Sequence, residues 1–358
     1  MNDKTLHIFL QSEPYPEPFK SNEERPSYFS SVLYTRVATI LGSIIQIHAP
    51  RYAGVNIFKM LLSSFETFAH MRQCKNDIFV VWQGHGMYGA LLNKRFDARS
   101  PFILNTYKVP KNFHRKIKTR INDKLLCKAI KQAFCVVTIS YRQADEIRYY
   151  NKGAVCVPFA SDINWWTPKI ADYSLLQKYA INFRDYVLIM GDVNRDEETT
   201  ARAIKGLNYP ILRVTRDPKT VRKAEHVWLT LGIKNGRILE KVPFKVLREI
   251  YRGARVVIIP ARSEMHPAGM TSMTEAMGCA RPVIIPSGLT TEGYVQNEID
   301  AFVLDGWRES DIRDRVVCVY ETNRGELIGL AARKTVEEKL NFDASAGVLA
   351  DFVRTVLL

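Results

Sequence analysis

The sequence predicts an α/β protein built from two halves, each a Rossmann-like parallel sheet covered by helices. Short apolar runs rich in Val and Ile alternate with amphipathic stretches along the chain, as is typical of β-α-β units. The pattern is clearest at 255–287, where a strand, a loop, a helix and a second strand follow one another. A unit this short requires parallel strands and a right-handed crossover. No internal sequence repeat accompanies the two halves.

In the first half, strands are predicted where β-branched runs end at polar residues or at glycine. The predicted strands are 6–10, 43–48, 77–82, 102–104, 134–140 and 154–158. Amphipathic spacing predicts helices at 28–41, 56–72 and 109–132, with two more that begin after Gly86 and at Tyr141. The stretch 14–26 carries four prolines and is predicted to be a long polar loop.

The second half repeats this alternation. The predicted strands are 185–191, 211–215, 238–242, 256–260, 283–285 and 298–304. The predicted helices follow Asp196 and occupy 246–253, 269–278, 311–320, 325–339 and 343–358. The last one has one wide apolar face.

Composition places the chain among globular proteins, since 46% of its 358 residues are hydrophobic and 25% are charged. The six cysteines show no C-x-x-C pair and no metal-ligand spacing, so we interpret them as buried thiols in a reducing compartment. The N-terminus lacks the apolar region of a signal peptide, and no apolar run approaches 18 residues. We therefore expect a cytoplasmic protein.

The positive charge is uneven along the chain. Residues 1–175 hold 24 Lys and Arg against 13 Asp and Glu, whereas the remainder is almost balanced at 27 against 24. A basic half predicts an acidic partner, such as a phosphorylated substrate or an anionic lipid surface. Nucleic acid is not expected, because the most basic stretch lacks interleaved aromatic residues.

The start of the predicted helix at 269–278 carries the strongest chemical signal. Backbone N–H groups of Gly269, Met270, Thr271 and Ser272 would be unpaired there, which favours a phosphate group. Glu275 lies one turn later, roughly 5–6 Å along the helix axis, where a carboxylate can accept both hydrogen bonds of a ribose diol. Ser272 and Glu275 also have the spacing of a capping box, which needs no ligand. Both interpretations remain open from these residues alone.

The run P-A-G-M-T-S-M-T-E-A-M-G-C-A-R-P-V-I-I resembles the donor-site signature of retaining GT-B glycosyltransferases, the "glycosyl transferases group 1" family. A second run, V-P-F-A-S-D-I-N-W-W-T-P at 157–168, resembles the hinge segment of that family. The resemblance implies two Rossmann-like domains facing a cleft. It also implies sugar transfer from a nucleoside diphosphate sugar, with retention and without a metal or other cofactor.

The resemblance assigns the donor-site residues one by one. A glutamate at the place of Glu275 binds the ribose in that family, and the helix start binds the diphosphate. The usual second glutamate, eight positions earlier, is replaced here by Pro267, so we expect Glu264 or His266 to contact the sugar. The remaining donor-site candidates are Gly191 and Arg195 for the diphosphate and Pro243 and Phe244 for the base.

Three features of the first half are assigned to catalysis or to the acceptor. His85 lies between two glycines after a predicted strand, which is a ligand-loop position, although a turn histidine without a role is the alternative. Lys108 stands near a position at which many family members have a histidine, and a lysine favours an anionic group. The stretch from Lys108 to Lys131 holds nine Lys and Arg and one acid. It is predicted to be a basic amphipathic helix that docks on an anionic membrane, or an ordinary surface helix.

These observations lead to one functional hypothesis and two alternatives. We expect a glycosyltransferase of the hexosyltransferase type, acting on a glycan or a lipid-linked acceptor in polysaccharide or glycolipid synthesis, at the inner face of a membrane. The expected domains are 1–170 for the acceptor, 171–340 for the nucleotide sugar and 341–358 as a helix that returns to the first domain. The alternatives are a non-catalytic nucleotide-sugar-binding protein and a GT-B nucleotide-sugar epimerase.

The basic helix yields the first testable prediction. Changing Lys116, Lys118, Arg120 and Lys124 together to Gln should abolish co-sedimentation with anionic vesicles at low salt, because each cation near such a surface contributes about 1 kcal/mol. Binding of the unchanged protein should weaken at high salt as the Debye length shortens. Neutral vesicles are the control, and indifference of the unchanged protein to anionic vesicles at low salt would disprove membrane docking.

Overall fold

The structure is a computed structural model of the chain. It describes residues 5–9, 26, 29–48, 57–74, 77–83, 86–96, 101–106, 109, 117–192, 194–262 and 266–357. These residues form two compact units, which are described separately below. The chain passes from the first unit to the second between Pro158 and Phe159 and returns between Phe342 and Asp343.

The first unit contains a parallel sheet, of which the described residues form six strands. They are β1 (Thr5–Phe9), β2 (Ile44–His48), β3 (Ile78–Trp82), β4 (Phe102–Asn105), β5 (Cys135–Thr138) and β6 (Ala154–Cys156). The helices are α1 (Phe29–Leu41), α2 (Ile57–Gln73), α3 (Met87–Phe96), α4 (Ile117–Gln132) and α5 (Tyr141–Arg148). The strand order is β2-β1-β3-β4-β5-β6, so β1 and β3 are adjacent and the chain changes direction across the sheet between them.

The second unit contains another parallel sheet of six strands within the described residues. They are β7 (Tyr186–Met190), β8 (Ile211–Thr215), β9 (Gly236–Glu240), β10 (Ala254–Ile258), β11 (Val283–Pro286) and β12 (Phe302–Leu304). Its helices are α6 (Tyr173–Lys178), α7 (Glu197–Ile204), α8 (Pro218–Leu231), α9 (Phe244–Gly253), α10 (Met270–Gly278), α11 (Glu309–Glu321) and α12 (Arg324–Lys339). The order β12-β11-β10-β7-β8-β9 is that of a dinucleotide-binding Rossmann sheet, with β7 and β10 adjacent at its centre.

Apolar residues of the strands form the cores of both units. In the first unit Phe79, Val81, Phe102, Leu104 and Val136 are fully buried under α3 and α4. In the second, the equivalent cluster joins the central strands to α7 and α11 and includes Val187, Ile189, Val256, Ile258 and Ile284. Such continuous apolar strands are expected where helices cover both faces of a parallel sheet.

The last helix, α13 (Phe342–Leu357), belongs almost entirely to the first unit. The hydroxyl of Ser345 donates to the carbonyl oxygen of Pro158 at 2.7 Å, and Arg354 donates to the carbonyl oxygen of Ile40 at 2.8 Å. Asp343 pairs with Arg36 of α1. The buried side chains Leu349 and Val353 lie on its apolar face, so this helix completes the core of the first unit.

The predicted fold class is confirmed, and most predicted elements agree with observed ones to within a few residues. Two helices were not predicted, α6 and α8. The second was missed although Asp217 accepts hydrogen bonds from the backbone of Lys219 and Thr220 and Pro218 occupies its first turn, which are ordinary start signals. The final strand was predicted at 298–304 but comprises only Phe302–Leu304. No helix formed by described residues is both long and apolar enough to cross a bilayer.

Two glycines inside helices yield the second prediction. A Cβ at Gly329 of α12 would overlap the carbonyl oxygen of Ala280, whereas a Cβ at Gly347 of α13 would meet nothing within 4 Å. Gly329→Ala should therefore cost about 1–3 kcal/mol through overpacking. Gly347→Ala should stabilise by about 0.5–1 kcal/mol through helix propensity. Urea denaturation followed by circular dichroism measures both, and a stabilising Gly329→Ala would contradict the close packing of α12 on Ala280.

Candidate functional site

The centre of the second sheet is a topological switch point, because the connections that leave β7 and β10 cover opposite faces. Ligands of open α/β sheets bind outside the carboxyl ends of the strands at such a point. Gly191 follows β7 directly, and the segment that leads to Gly269 and α10 follows β10. The structure thus brings two predicted donor-site glycines to the same sheet edge.

Arg195 lies between these two glycines. A Cβ at Gly191 would overlap its guanidinium group, and a Cβ at Gly269 would lie 3.9 Å from Arg195 Nη2 and 2.8 Å from Ile259 Cγ2. Both glycines also have positive φ, +120° and +95°, which side chains disfavour. Glycine at 191 therefore leaves room for the guanidinium, and glycine at 269 leaves room for Ile259 and permits the left-handed backbone that begins α10.

Backbone hydrogen bonds hold the loop of Arg195 against the segment that follows β10. Arg195 forms an antiparallel bridge with Ala261, and the N–H of Asp196 donates to the carbonyl oxygen of Pro260 at 2.9 Å. The N–H of Arg262 donates to the carbonyl oxygen of Asn194 at 2.9 Å. His266 joins this contact, since its Nε2 lies 3.3 Å from Asn194 Nδ2. His266 is therefore near Arg195 in space, as the predicted donor site requires.

A fully buried ion pair lies beneath this loop. Arg213 of β8 donates to both carboxylate oxygens of Glu197 at 3.1 and 2.5 Å, and neither side chain is more than 3% exposed. Arg213 also donates to the carbonyl oxygen of Gly191 at 2.8 Å. Sequence analysis missed this pair. The available signals were an arginine inside the apolar strand I-L-R-V-T and a glutamate at the start of the next helix.

The electrostatic surroundings of Arg195 favour an anion. Burial, and then the like charge of Arg213, lower the pKa of Arg195 to about 10, while Asp192, Glu197 and Tyr251 act in the opposite direction. An anion stabilises a poorly solvated cation of this kind more strongly than it stabilises a fully hydrated cation. A diphosphate beside Arg195 would therefore be stabilised strongly.

Helix α10 begins with a bare N-terminus. Its N-cap is Gly269, and no side chain caps it. Met270 is buried, Thr271 is exposed and Ser272 is half-buried, so the first-turn N–H groups and two hydroxyls are grouped at the switch point. The capping-box interpretation is wrong, because Ser272 is the third residue of the helix and not its N-cap.

Glu275 is buried one turn into the helix, with 7% of its surface exposed. The hydroxyl of Tyr251 donates to its Oε2 at 2.9 Å. Burial raises the pKa of Glu275 to about 8, although the Tyr251 hydrogen bond and the charge of Arg216 oppose the shift. The ring of Tyr251 packs edge-on against Trp166 at 5.5 Å, so the hinge-like segment at 157–168 supports the residue that orients Glu275.

A second cation stands at the end of β8. Arg216 donates from its backbone N–H to Asp192 Oδ1 at 2.6 Å and from Nε to Oδ2 at 3.1 Å, and these contacts lower the pKa of Asp192. Its side chain is 68% exposed, and its charge influences Glu275. Sequence analysis did not identify a second cation for the diphosphate. An arginine directly after a strand was the signal for Arg216.

The other candidate residues are distributed as follows. Pro243 is the exposed N-cap of α9 and Phe244 is its half-buried first residue, both at the carboxyl end of edge strand β9. Lys118 and Arg120 lie on α4, and Lys124 is exposed there. Four candidates lie outside the described residues, namely His85, Lys108, Lys116 and Glu264.

The apolar side of α4 is used inside the first unit. Leu126, Ala129 and Ile130 are buried in its core, and Leu125 packs against them. Lys124, Lys128 and Lys131 are exposed. Over residues 123–132 this helix therefore packs as an ordinary surface helix, with its apolar side chains in the core and three lysines exposed.

Solved structures with the same architecture include glycosyltransferases. Sucrose-phosphate synthase from Thermosynechococcus elongatus matches with a TM-score of 0.75 at 13% identity, covering 99% of each chain. Anabaena HepE in complex with UDP and glucose matches with a TM-score of 0.72 at 12% identity, covering 98% of this chain and 99% of that one. A Listeria monocytogenes protein assigned as a UDP-N-acetylglucosamine 2-epimerase matches with a TM-score of 0.61 at 11% identity, covering 99% and 96%.

No protein-family model matches the sequence, and no curated protein matches it. Identities this low show the fold alone. The chain therefore has the GT-B fold, with two parallel α/β sheets, in agreement with the fold that the motif at 267–285 implies.

Proposed function

We propose that this protein is a glycosyltransferase that takes its sugar from a nucleoside diphosphate sugar bound by the second unit. The observation that carries the proposal is the position of Arg195 between Gly191 and the bare N-terminus of α10, with Glu275 buried one turn later. The cation and the helix N-terminus would bind the diphosphate, and the carboxylate one turn later would bind the ribose. The GT-B neighbours, one of them crystallised with UDP and glucose, support this class of ligand.

The proposed chemistry relies on stabilisation of the leaving diphosphate. As the bond between the sugar and the diphosphate breaks, its electron pair moves to a phosphate oxygen, and negative charge grows beside Arg195 and the N–H groups of α10. Preorganised charges of this kind act most strongly in the transition state. Arg216 is proposed as the second cation, because its exposed guanidinium can exchange part of its contact with Asp192 for a phosphate oxygen.

Finer features of the reaction are proposed from the motif resemblance. Transfer would proceed with retention at the anomeric carbon and without a metal, to a glycan or lipid-linked acceptor bound by the basic first unit. Exposed Lys124, Lys128 and Lys131 of α4 would attract an anionic acceptor or membrane surface by charge alone. The hexosyl donor and a site of action at the inner face of a membrane belong to the same proposal.

The epimerase alternative is favoured by the Listeria neighbour and needs its own test. An epimerase converts its nucleotide sugar without an acceptor, whereas a transferase consumes donor in proportion to acceptor. Thermal stabilisation by UDP, GDP and ADP sugars identifies the donor first, because a ligand at 100 times its Kd adds about 2.7 kcal/mol. Product analysis without acceptor then separates the two classes, and slow hydrolysis of the donor would exclude a purely binding function.

Glu275 yields the third prediction, in the form of a pH dependence. A ribose diol prefers the carboxylate, yet the pKa of Glu275 in the unliganded protein is about 8, so donor binding must release a proton at pH 7. The Kd of UDP-glucose, or of the donor found in the screen, should fall up to about tenfold per pH unit from pH 6 and level off above pH 8.

The matched variant is Glu275→Gln, which resembles the protonated side chain. It should keep the melting temperature and show a Kd that is independent of pH in this range. At pH 9 its Kd should be about ten- to a hundredfold larger than that of the unchanged protein, because a charge-assisted hydrogen bond is lost. An unchanged Kd together with a lowered melting temperature would assign Glu275 to the fold alone.

Arg195 yields the fourth prediction. Arg195→Ala should lower kcat by about 10²–10³ and change KM much less, because the charge that it stabilises develops in the transition state. Arg202→Ala is the matched control, since Arg202 is exposed on helix α7 and its guanidinium pairs with Glu198 of the same helix and with Glu309 of α11. Near-normal turnover of Arg195→Ala would show that Arg195 does not stabilise the leaving diphosphate. Arg216 would then be the candidate for that role.

A further inference from the structure

Three side chains with metal-binding atoms converge in the first unit, whereas the site described above belongs to the second. They are His7 of β1, Cys74 just after α2 and Asp77 just before β3. One ligand atom of each residue, the imidazole nitrogen, the thiol sulfur and a carboxylate oxygen, lies within 4.8 Å of the other two. His7 lies 70 residues before Asp77 in the sequence, so the cysteine spacing alone gives no sign of this cluster.

The strand pairing brings the three residues together. In the parallel register of β1 and β3, His7 is the partner of Phe79 and Leu6 is the partner of Ile78. His7 and Asp77 therefore project from the same face of the sheet, because side chains alternate along a strand. The turn between α2 and β3 adds Cys74, since the N–H of Asp77 donates to the carbonyl oxygen of Cys74 at 3.3 Å.

Neighbouring contacts orient the His7 and Asp77 side chains in advance. The His7 ring is 2% exposed and stacks on Phe79 at 4.9 Å, with 12° between the ring planes. Its Nε2 lies 3.1 Å from Asp77 Oδ2, and the N–H of Thr5 donates to the other carboxylate oxygen, Oδ1, at 2.9 Å. Metal-ligating carboxylates are usually hydrogen-bonded in this manner by a second sphere.

The separations suit a tetrahedral ion. Zinc bonds of about 2.0–2.3 Å to nitrogen, oxygen and sulfur place neighbouring ligand atoms about 3.3–3.7 Å apart. The His7–Asp77 pair is at 3.1 Å already, and Cys74 needs a movement of about 1 Å at most to complete such a triangle. Asp77 has 20% of its side chain exposed and Cys74 is half-buried, so a water molecule can reach the fourth corner.

We propose that His7, Cys74 and Asp77 bind one zinc ion, with water as the fourth ligand. An imidazole, a thiolate and a carboxylate together favour zinc over magnesium or calcium, which prefer oxygen ligands only. Binding would displace the thiol proton of Cys74 to solvent. The site lies between the middle of β1 and the amino end of β3, whereas open α/β sheets bind substrates at the carboxyl ends of their strands. Its role is therefore structural, joining β1, the end of α2 and β3.

Metal analysis and cobalt spectroscopy of the full chain test this proposal. After dialysis against zinc and then against buffer, elemental analysis should find one zinc per chain. Co²⁺ in place of zinc should produce a thiolate-to-cobalt charge-transfer band and the intense visible bands of tetrahedral cobalt. Cys74→Ser should remove the charge-transfer band and weaken zinc binding by more than about a hundredfold, since even loss of a second-sphere partner costs 10–100-fold.

Two further variants keep the test decisive. Cys318→Ser is the matched control, because Cys318 is a half-buried thiol on α11 of the second unit, and it should retain both the zinc and the cobalt spectrum. Asp77→Asn should weaken zinc binding while keeping the charge-transfer band, so it replaces Cys74→Ser if that variant fails to fold. Absence of stoichiometric zinc in the unchanged protein, or a charge-transfer band that survives Cys74→Ser, would overturn the proposal.

Discussion

The buried pair of Arg213 and Glu197 is the interaction on which the proposed donor site depends. A charge placed in a parallel-sheet core costs several kcal/mol unless it is matched, and here both carboxylate oxygens and two backbone carbonyls of the β7 end, Ile189 and Gly191, surround one guanidinium. The pair fixes the carbonyl of Gly191 and the first residue of α7 together. The loop between them, which carries Arg195, is therefore held at both ends.

The same pair also shapes the electrostatics of the site. Burial, and then repulsion by the fixed positive charge of Arg213, lower the pKa of Arg195. Glu275 is likewise buried, and burial raises its pKa beside Tyr251. Both the cation and the carboxyl group of this site are therefore poorly solvated. Hydrogen bonds to a diphosphate and to a ribose would offset the cost of their desolvation.

The packing of α4 limits what the basic stretch of the first unit can do. The periodicity of the stretch at 109–132 is compatible with a membrane anchor and with a surface helix, because either one has one apolar and one charged side. Leu126, Ala129 and Ile130 are enclosed by the core, and Lys124, Lys128 and Lys131 are the charged side chains exposed on this part of α4. Any attraction to an anionic partner there is electrostatic and should depend on salt.

The sequence by itself determined the α/β class, the alternation of strands and helices, and the N-terminus of α10 with Glu275, because local propensity and spacing decide these features. It did not determine which distant residues meet. Arg213, Tyr251 and Arg216 were missed since their roles depend on contacts with Glu197, Glu275 and Asp192, which strand order alone brings close. The same holds for His7 and Asp77, 70 residues apart, whose contact exists only because β1 and β3 are neighbours in the sheet.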